Sequence, residues 1–517
     1  MRNRVIILGL LLAWVSLAAV AADGDLSYTI SEIDGVEEIQ VTTPLANYLF
    51  SEDGGVMKSL FITFAPYGST VTELLPGTRT TADTLERQYV ADAEFPFALE
   101  GEGLSEGIYE LSDTVLLDGE LRIVFEGRFG ETAITKTYTI RGDDVYTIDV
   151  QVDINNGATE TLDLTMLLGK YEVQEDAPAI HYLLDGSPST ELLAAGSYAN
   201  FGGIGVMNKS IVFFLSPSAG TGVSPFSERI DGQQRYGVAM EAASGSSTFT
   251  YQLYGGRRRF LLMEAAGIEA LDEPGMGARL MIPVIRFLDM LFRATGNYGW
   301  AIILFTILTR VILFPLMRKQ YHSMAKMQQV QPKLKRIQER FKDDKQLQQQ
   351  RMMELYRKEG INPMGGCLPM LVQLPILILI WRAILFSAEM IHLSPGFLWI
   401  PDLALNDPYF ILVIVTTAIM ILQQWLMTPQ TAGDSPGGTK YFGYIFPIFM
   451  AVLLWRFPAG LWLYYLLTTG AQVAQQAIVN REMAHAKARK LAEAPLSEGS
   501  EDDEAGAEDD GGSETGS

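Results

Sequence analysis

The sequence predicts a multi-pass α-helical membrane protein, with a five-helix core plus an N-terminal hydrophobic segment, that carries a large all-β domain on its exported side. Three observations predict it. Apolar residues are 48% of the 517, but they concentrate in the first 22 positions and again from about 280 to 480. Between those regions the apolar pattern has the two-residue period of half-buried strands. The charges of the loops between the apolar spans follow one consistent inside–outside order.

The chain starts "MRNRVIILGLLLAWVSLAAVAADG", with Arg2 and Arg4 ahead of an apolar run from Val5 to Ala22. Residues 1–23 have two open readings. "AVA" at 19–21 suits a cleaved export signal, and the same run is just long enough for a retained transmembrane anchor. Either way the arginines stay inside and residue 23 onward is exported.

Residues 24–270 read as a β-sandwich domain. "YTIDVQVDI" puts Tyr146, Ile148, Val150, Val152 and Ile154 on one face and Thr147, Asp149, Gln151 and Asp153 on the other. Asn156-Gly157 follows as a hairpin signal. "LRIVFEGRF", "ITKTYTI", "SIVFFL" and "STFTYQLY" are similar, punctuated by "EDGG", "GEG", "LDGS" and "SGSS". Residues 23–297 hold 41 Asp and Glu against 17 Lys and Arg. That balance gives a soluble acidic surface and disfavours nucleic acid; no DNA partner is expected. Arg257, Arg258 and Arg259 read as solvated surface.

"RLMIPVIRFLDMLFRATG", 279–296, interrupts an apolar stripe with Arg279, Arg286, Asp289 and Arg293. It is too charged to span and suits an interfacial amphipathic helix. Transmembrane helices are predicted over 298–317, 362–387, 408–427, 441–456 and 459–480. Residues 317–361 carry 12 Lys and Arg against five acids, which makes that loop cytoplasmic. Residues 388–407 carry three acids and no Lys or Arg and face out. Arg481, Lys487, Arg489 and Lys490 follow the last span and lie inside.

The loop 318–360 is predicted to be a helical hairpin. Tyr321, Met324, Met327, Val330, Leu334, Ile337 and Phe341 recur every three or four residues. Asp343-Asp344 makes a turn and a cap, the second arm ends at Gly360, and Pro332 kinks the first. Its charge either satisfies topology alone or docks on ribosomal RNA or an acidic targeting factor. The tail, 481–517, is predicted to be cytoplasmic, acidic and disordered, since residues 491–517 hold ten acids and no base.

The functional signal is Arg310, inside "LFTILTRVILFPL" at 304–316. A charge at the centre of a membrane helix costs about 2.5–3.5 kcal/mol on insertion scales. Arg310 precedes the boundary residue Arg318 by eight positions, hence lies about 12 Å deep. Snorkelling covers part of that distance. The other reading is a hydrated, positively charged cavity. Thr306 lies one turn earlier on the same face, Gln373 inside the next span, Gln423 and Gln424 in the fourth, and Tyr464, Tyr465, Gln472, Gln475 and Gln476 in the last. Arg382 and Arg456 sit near outer helix ends, where snorkelling accounts for them. The single cysteine, Cys367, excludes a disulfide and a cysteine-based zinc cluster. Neither an HExxH pattern nor a phosphate-binding GxxxxGK[ST] loop occurs, so no metal, cofactor or ATP-driven step is expected.

"NYGWAIILFTILTRVILFPL", "QYHSMAKMQQVQPKLKRIQERFKDDKQ", "NPMGGCLPMLVQLPI", "LWIPDL", "DPYFILVIVTTAIMILQQ" and "FPAGLWLYYLLTTGAQVAQQ" resemble the YidC/Oxa/Alb family of membrane protein insertases in order and spacing. "TPLANYLFSEDGGVMKSL" is similar to the large periplasmic super-sandwich domain of its Gram-negative members. The resemblance implies a five-helix core around a hydrophilic groove, open to cytoplasm and lipid and closed outward. It implies that Arg310 is the groove arginine, that Gln373 is the groove glutamine, and that Thr306 and Tyr465 contact substrate, with Tyr464 a further groove candidate. It further implies a bacterial inner-membrane location with the C-terminus cytoplasmic, membrane lipids as surroundings, nascent membrane proteins as cargo, and insertion and folding assistance, alone or with the Sec translocon. The ribosome is an implied partner through the hairpin 318–360; an acidic tail is a departure from the basic tail of many relatives. The rival classes are a solute transporter or channel using Arg310, and an intramembrane enzyme. Neither an inverted repeat nor a GxSxG or paired membrane aspartates support them.

Overall fold

The computed structural model of the chain describes residues 19–23, 26–90, 93–104, 109–143, 145–172, 179–190, 198, 200–360, 368–427 and 439–493. Two compact units result: residues 1–302, 379–410 and 455–462 form one, and residues 303–378, 411–454 and 463–517 the other.

The first unit is dominated by antiparallel sheets. Ala19–Asp23, Leu26–Ile33, Val36–Thr42, Ala46–Ser51, Val56–Ile62 and Thr72–Glu73 follow one another in a six-stranded meander. A nine-stranded sheet starts with the meander Tyr109–Leu117, Glu120–Phe129, Thr132–Arg141 and Thr147–Asn156, which then pairs with the distant strand Gly245–Arg257. Val223–Ile230, Gln233–Ala242, Leu162–Glu172 and Leu99–Gly101 make a four-stranded sheet. The alternation read at 146–154 is observed: Tyr146, Ile148, Val150, Val152 and Ile154 are all buried.

Asn156-Gly157 is not a hairpin. The next strand, Leu162–Glu172, joins the four-stranded sheet instead of pairing back. The Asn156 side chain accepts from Ala158 N at 3.0 Å and donates to Glu160 O at 2.8 Å, which turns the chain between sheets. Gly157 is required for close approach, because a Cβ there would lie 2.5 Å from Glu131 O. Four of the tight hairpins turn at the Asp-Gly pairs 34–35, 118–119, 185–186 and 231–232. Each has two successive positive φ angles, such as 52° and 73° at Asp118-Gly119, as a type I′ turn demands.

The domain core includes a lysine. Lys136 Nζ donates to Gly54 O at 2.6 Å and Phe97 O at 2.7 Å and lies 4.3 Å from the Tyr109 ring centroid. Burial pushes its ammonium down to about 7.

Helix α1 (Phe260–Ala265) and helix α2 (Met276–Thr295) follow the β-domain. In α2, Met281, Ile285 and Leu288 are buried while Met276, Leu280 and Met290 are exposed. Its polar side is tied by Arg286–Glu264 at 2.6 Å and Arg293–Asp289 at 2.9 Å, and Gly296, with φ 69°, ends it. The amphipathic helix expected at 279–296 is thus present and starts three residues earlier.

Helix α3 runs unbroken from Tyr298 to Arg340, so the expected boundary at 317/318 does not exist as a break. Apolar and polar segments share one helical hydrogen-bond ladder, and Pro315 and Pro332 lie within it. Helix α4 (Lys345–Lys358) returns; its cap Asp344 accepts from Gln346 N and Leu347 N, as the sequence predicts. Val330 and Leu334 pack against Met327, Met352, Leu355 and Tyr356, closing the hairpin. The side chains of Tyr321 and Met324 lie outside the described residues.

The remaining helices are α5 (Leu368–Phe386), α6 (Ala388–His392), α7 (Ile411–Met427), α8 (Thr439–Leu454) and α9 (Ala459–Glu493). Among the described residues, Tyr298–Arg318 alone is both long and apolar enough to span by length and composition; Gln373–Phe386, Ile411–Trp425 and Tyr444–Leu454 are shorter apolar stretches. The first 18 residues, Cys367, the rest of 361–367 and the tail from 494 lie outside the described set, and Ala19–Asp23 is strand.

The reading of 481–517 as disordered is corrected for its first part. Residues 481–493 continue α9. Met317 and Val479 form a small core with Leu313 and Met483, and Arg318 reaches Glu482 at 3.0 Å. An alanine-rich segment with such contacts favours helix over coil.

Candidate functional site

The site is built by α3, α5 and α9 within the second unit. Arg310 is only 7% exposed. Its Nη2 donates to Gln373 Oε1 at 2.7 Å, and Gln373 Nε2 donates to the Tyr464 hydroxyl at 3.2 Å. One polar chain therefore links three helices. The glutamine amide is suited to the middle position because it accepts on one side and donates on the other.

Thr306, one turn before Arg310, is buried, and its carbonyl accepts from Thr309 Oγ1 at 2.9 Å. Tyr464 is buried and Tyr465 half-buried; the Tyr465 carbonyl accepts from Thr469 Oγ1 at 2.8 Å. Gln423 Nε2 donates to Gln472 Oε1 at 3.2 Å between α7 and α9. All five predicted site residues thus lie on helices of one unit, and Arg310, Gln373 and Tyr464 are in direct contact.

Further buried polar groups lie on α7 and α9, two of them threonines that the sequence reading missed. Thr416 Oγ1, Gln475 Oε1 and Gln476 Oε1 are buried without a hydrogen-bond partner among the described residues, and Thr468 pairs with the Tyr464 hydroxyl. Thr468 and Thr416 gave no sequence signal, because threonine is common in apolar helices, where it bonds the preceding turn.

A second cluster lies in the first unit and corrects the reading of Arg257–Arg259 as solvated surface. Arg257 is buried; it donates to Phe64 O at 2.8 Å and Thr70 O at 2.9 Å and lies 3.7 Å from Glu389. Arg259 reaches the same carboxylate at 3.3 Å, and Glu389, on α6, is fully buried. His392 stacks on Phe64 at 4.0 Å, with Nδ1 2.7 Å from Asp402 and Nε2 3.3 Å from Pro44 O. The strap that follows is pinned to two helix starts. Asn297 donates to Pro395 O and Gly396 O, while Ala459 N and Gly460 N donate to Leu405 O and Leu403 O. Gly299 permits this, since a Cβ there would lie 2.2 Å from the Phe397 ring. Among the described residues no group of His, Cys, Asp and Glu could hold a metal ion.

An antiparallel β-domain in one chain with several apolar helices, one of which carries a buried arginine bonded to a glutamine–tyrosine chain, defines a multi-pass membrane protein. Residues 290–487 match the family model of the 60Kd inner membrane protein. The membrane protein insertase YidC of Cupriavidus taiwanensis is 33% identical over 403 residues, covering 73% of this chain and 71% of that one. The chain belongs to the YidC family of membrane protein insertases. The insertase YidC of Wolinella succinogenes is 43% identical over 244 residues, 47% of this chain and 45% of that protein. A crystal structure of an active YidC insertase with its first transmembrane domain resolved shares the fold, at TM-score 0.52 and 22% identity over 90% of this chain and 94% of that one.

Proposed function

We propose that insertion by this family member runs through the polar line of α3, α5 and α9, with Arg310 as transient counter-ion for cargo. The observation that carries this reading is the buried chain Arg310–Gln373–Tyr464. The step is physical, with no bond made or broken, so the protein acts as an insertase and chaperone and not as an enzyme. A nascent hydrophobic segment arrives with a short polar tail that must cross the bilayer. Arg310 and the unbonded oxygens of Thr416, Gln475 and Gln476 replace part of the tail's lost hydration. The apolar segment leaves past Thr306 and Tyr465 into lipid. Its burial drives the step, aided by the membrane potential at about 2.3 kcal/mol per charge per 100 mV.

In this reading the β-domain is periplasmic, the hairpin 318–360 and the C-terminus are cytoplasmic, and the hairpin receives cargo from the ribosome. The Sec translocon is a partner for larger substrates. The loop charges support that orientation, because the basic segment is retained inside. Photo-crosslinkers placed singly at 306, 373 and 465 in ribosome-bound stalled chain reactions should each give adducts with the nascent segment. A crosslinker at Ile414, an exposed residue of α7, serves as the lipid-facing control. Adducts at Ile414 and none at the three polar-line positions would reject the route.

A further inference from the structure

A cavity of about 430 Å³ in the first unit lies outside the polar line. Tyr67 of the β-domain lines it, with Ala404, Leu405 and Asn406 of the strap and Trp455 and Arg456 of the turn between α8 and α9. The lining holds one cation and no acid. Arg456 is exposed, and its guanidinium carbon lies 4.8 Å from the Trp455 ring centroid. Tyr67 and Asn406, both exposed, add a hydroxyl and an amide to the same opening. Aromatic contacts back the wall: Tyr67 packs on Phe457 at 4.5 Å, Phe457 stacks on Trp381 at 5.2 Å, and Trp455 packs on Phe410 at 5.4 Å.

The position selects the ligand. The turn 455–458 joins the ends of two apolar helices, so it stands at headgroup level, where tryptophan and tyrosine gather. A guanidinium presents forked donors that match a phosphate, and a phenol and an amide complete the set. Snorkelling explains how Arg456 reaches the interface, but it explains neither a walled cavity there nor a lining free of acids.

We propose that this cavity binds the phosphodiester headgroup of one membrane phospholipid, in the leaflet nearest the β-domain, with Arg456 on the phosphate and Tyr67 and Asn406 beside it. The site rests on the membrane-spanning reading of α8 and α9 and is independent of the route through Arg310.

The test uses the full chain purified in mild detergent and titrated with phosphatidylglycerol, with retained lipid counted by native mass spectrometry. Wild type should keep one lipid that Arg456→Gln loses by about tenfold or more in affinity, as expected for a charge-assisted hydrogen bond. Arg456→Lys should recover part of it, and Tyr67→Ala should weaken it. Arg279→Gln, an exposed arginine elsewhere in the same unit, should leave it unchanged. Equal retention by wild type and Arg456→Gln would overturn the site. Full displacement by millimolar inorganic phosphate would assign the cavity to a free anion and overturn the lipid. Insertion activity is measured separately, so a failure of the Arg310 route leaves this result readable.

Discussion

Arg310 meets Gln373 across 63 residues of sequence, and Gln373 meets Tyr464 across another 91. The arginine itself was legible, because one charge in an apolar run stands out, and Thr306 followed from its four-residue spacing. The partnership was not legible, since no local pattern ties a glutamine on one helix to a tyrosine on another. Replacing Arg310 by alanine should slow insertion of substrates with acidic tails by roughly tenfold to a hundredfold, the worth of a charge-assisted hydrogen bond. Arg310→Lys should retain most of the rate, and substrates with neutral tails should be affected least; reconstituted vesicles with a protease-protection readout measure all three. Lys136 yields a pH prediction. The unfolded lysine keeps its proton to about 10.5, while the buried one releases it at about 7. Between those values the unfolded chain binds more protons, so stability rises with pH from 7 towards 10.5 and is lowest below 7. Thermal unfolding of the full chain in detergent from pH 6.5 to 9 should show that rise, and Lys136→Met should flatten it.

Elements were read best where a single periodicity rules. The strand 147–156 and the helix over 276–295 follow from their patterns of two and of three to four residues. Breaks were read less well. The 317/318 boundary marks a change from apolar to polar composition along α3 without a change of backbone, since a helix satisfies its own hydrogen bonds whatever surrounds it. Asn156-Gly157 looked like a hairpin because the local chemistry is the same; the destination of the next strand decides, and that is a sheet-level property. The strap cluster has no sequence signature either. Glu389 is a single acid on the short helix α6, yet it lies fully buried against Arg257 and Arg259, more than 120 residues away. Glu389→Ala would leave two arginines facing an empty position. Removing one member of a buried ion pair costs about 3–5 kcal/mol. The expected outcome is faster proteolysis of the β-domain base and a lower unfolding temperature of the full chain, while Glu264→Ala, an exposed pair to Arg286, should change either by about 1 kcal/mol at most.

For the whole molecule, charge placement carries the topology and one further prediction. The hairpin presents exposed Arg336, Lys342 and Lys345 around its tip, and the segment 317–361 is strongly basic. Changing these three to glutamine should weaken sedimentation with ribosomes and reduce the magnitude of the salt slope by about two to three, since each phosphate contact contributes close to one. Unchanged binding at low salt would assign the hairpin's charge to topology alone. The sequence by itself determined the class of the protein, the presence of a β-domain ahead of a series of apolar helices, and the one arginine set inside an apolar helix. Those rest on hydrophobic period, span length and local charge, and each can be read from a short window. Tertiary structure alone decided which polar residues meet Arg310, which strand closes each sheet, and that Arg257 and Glu389 share a buried site. The physical reason is distance along the chain: these contacts join residues many tens to hundreds apart, and only the folded chain brings them within reach of one another.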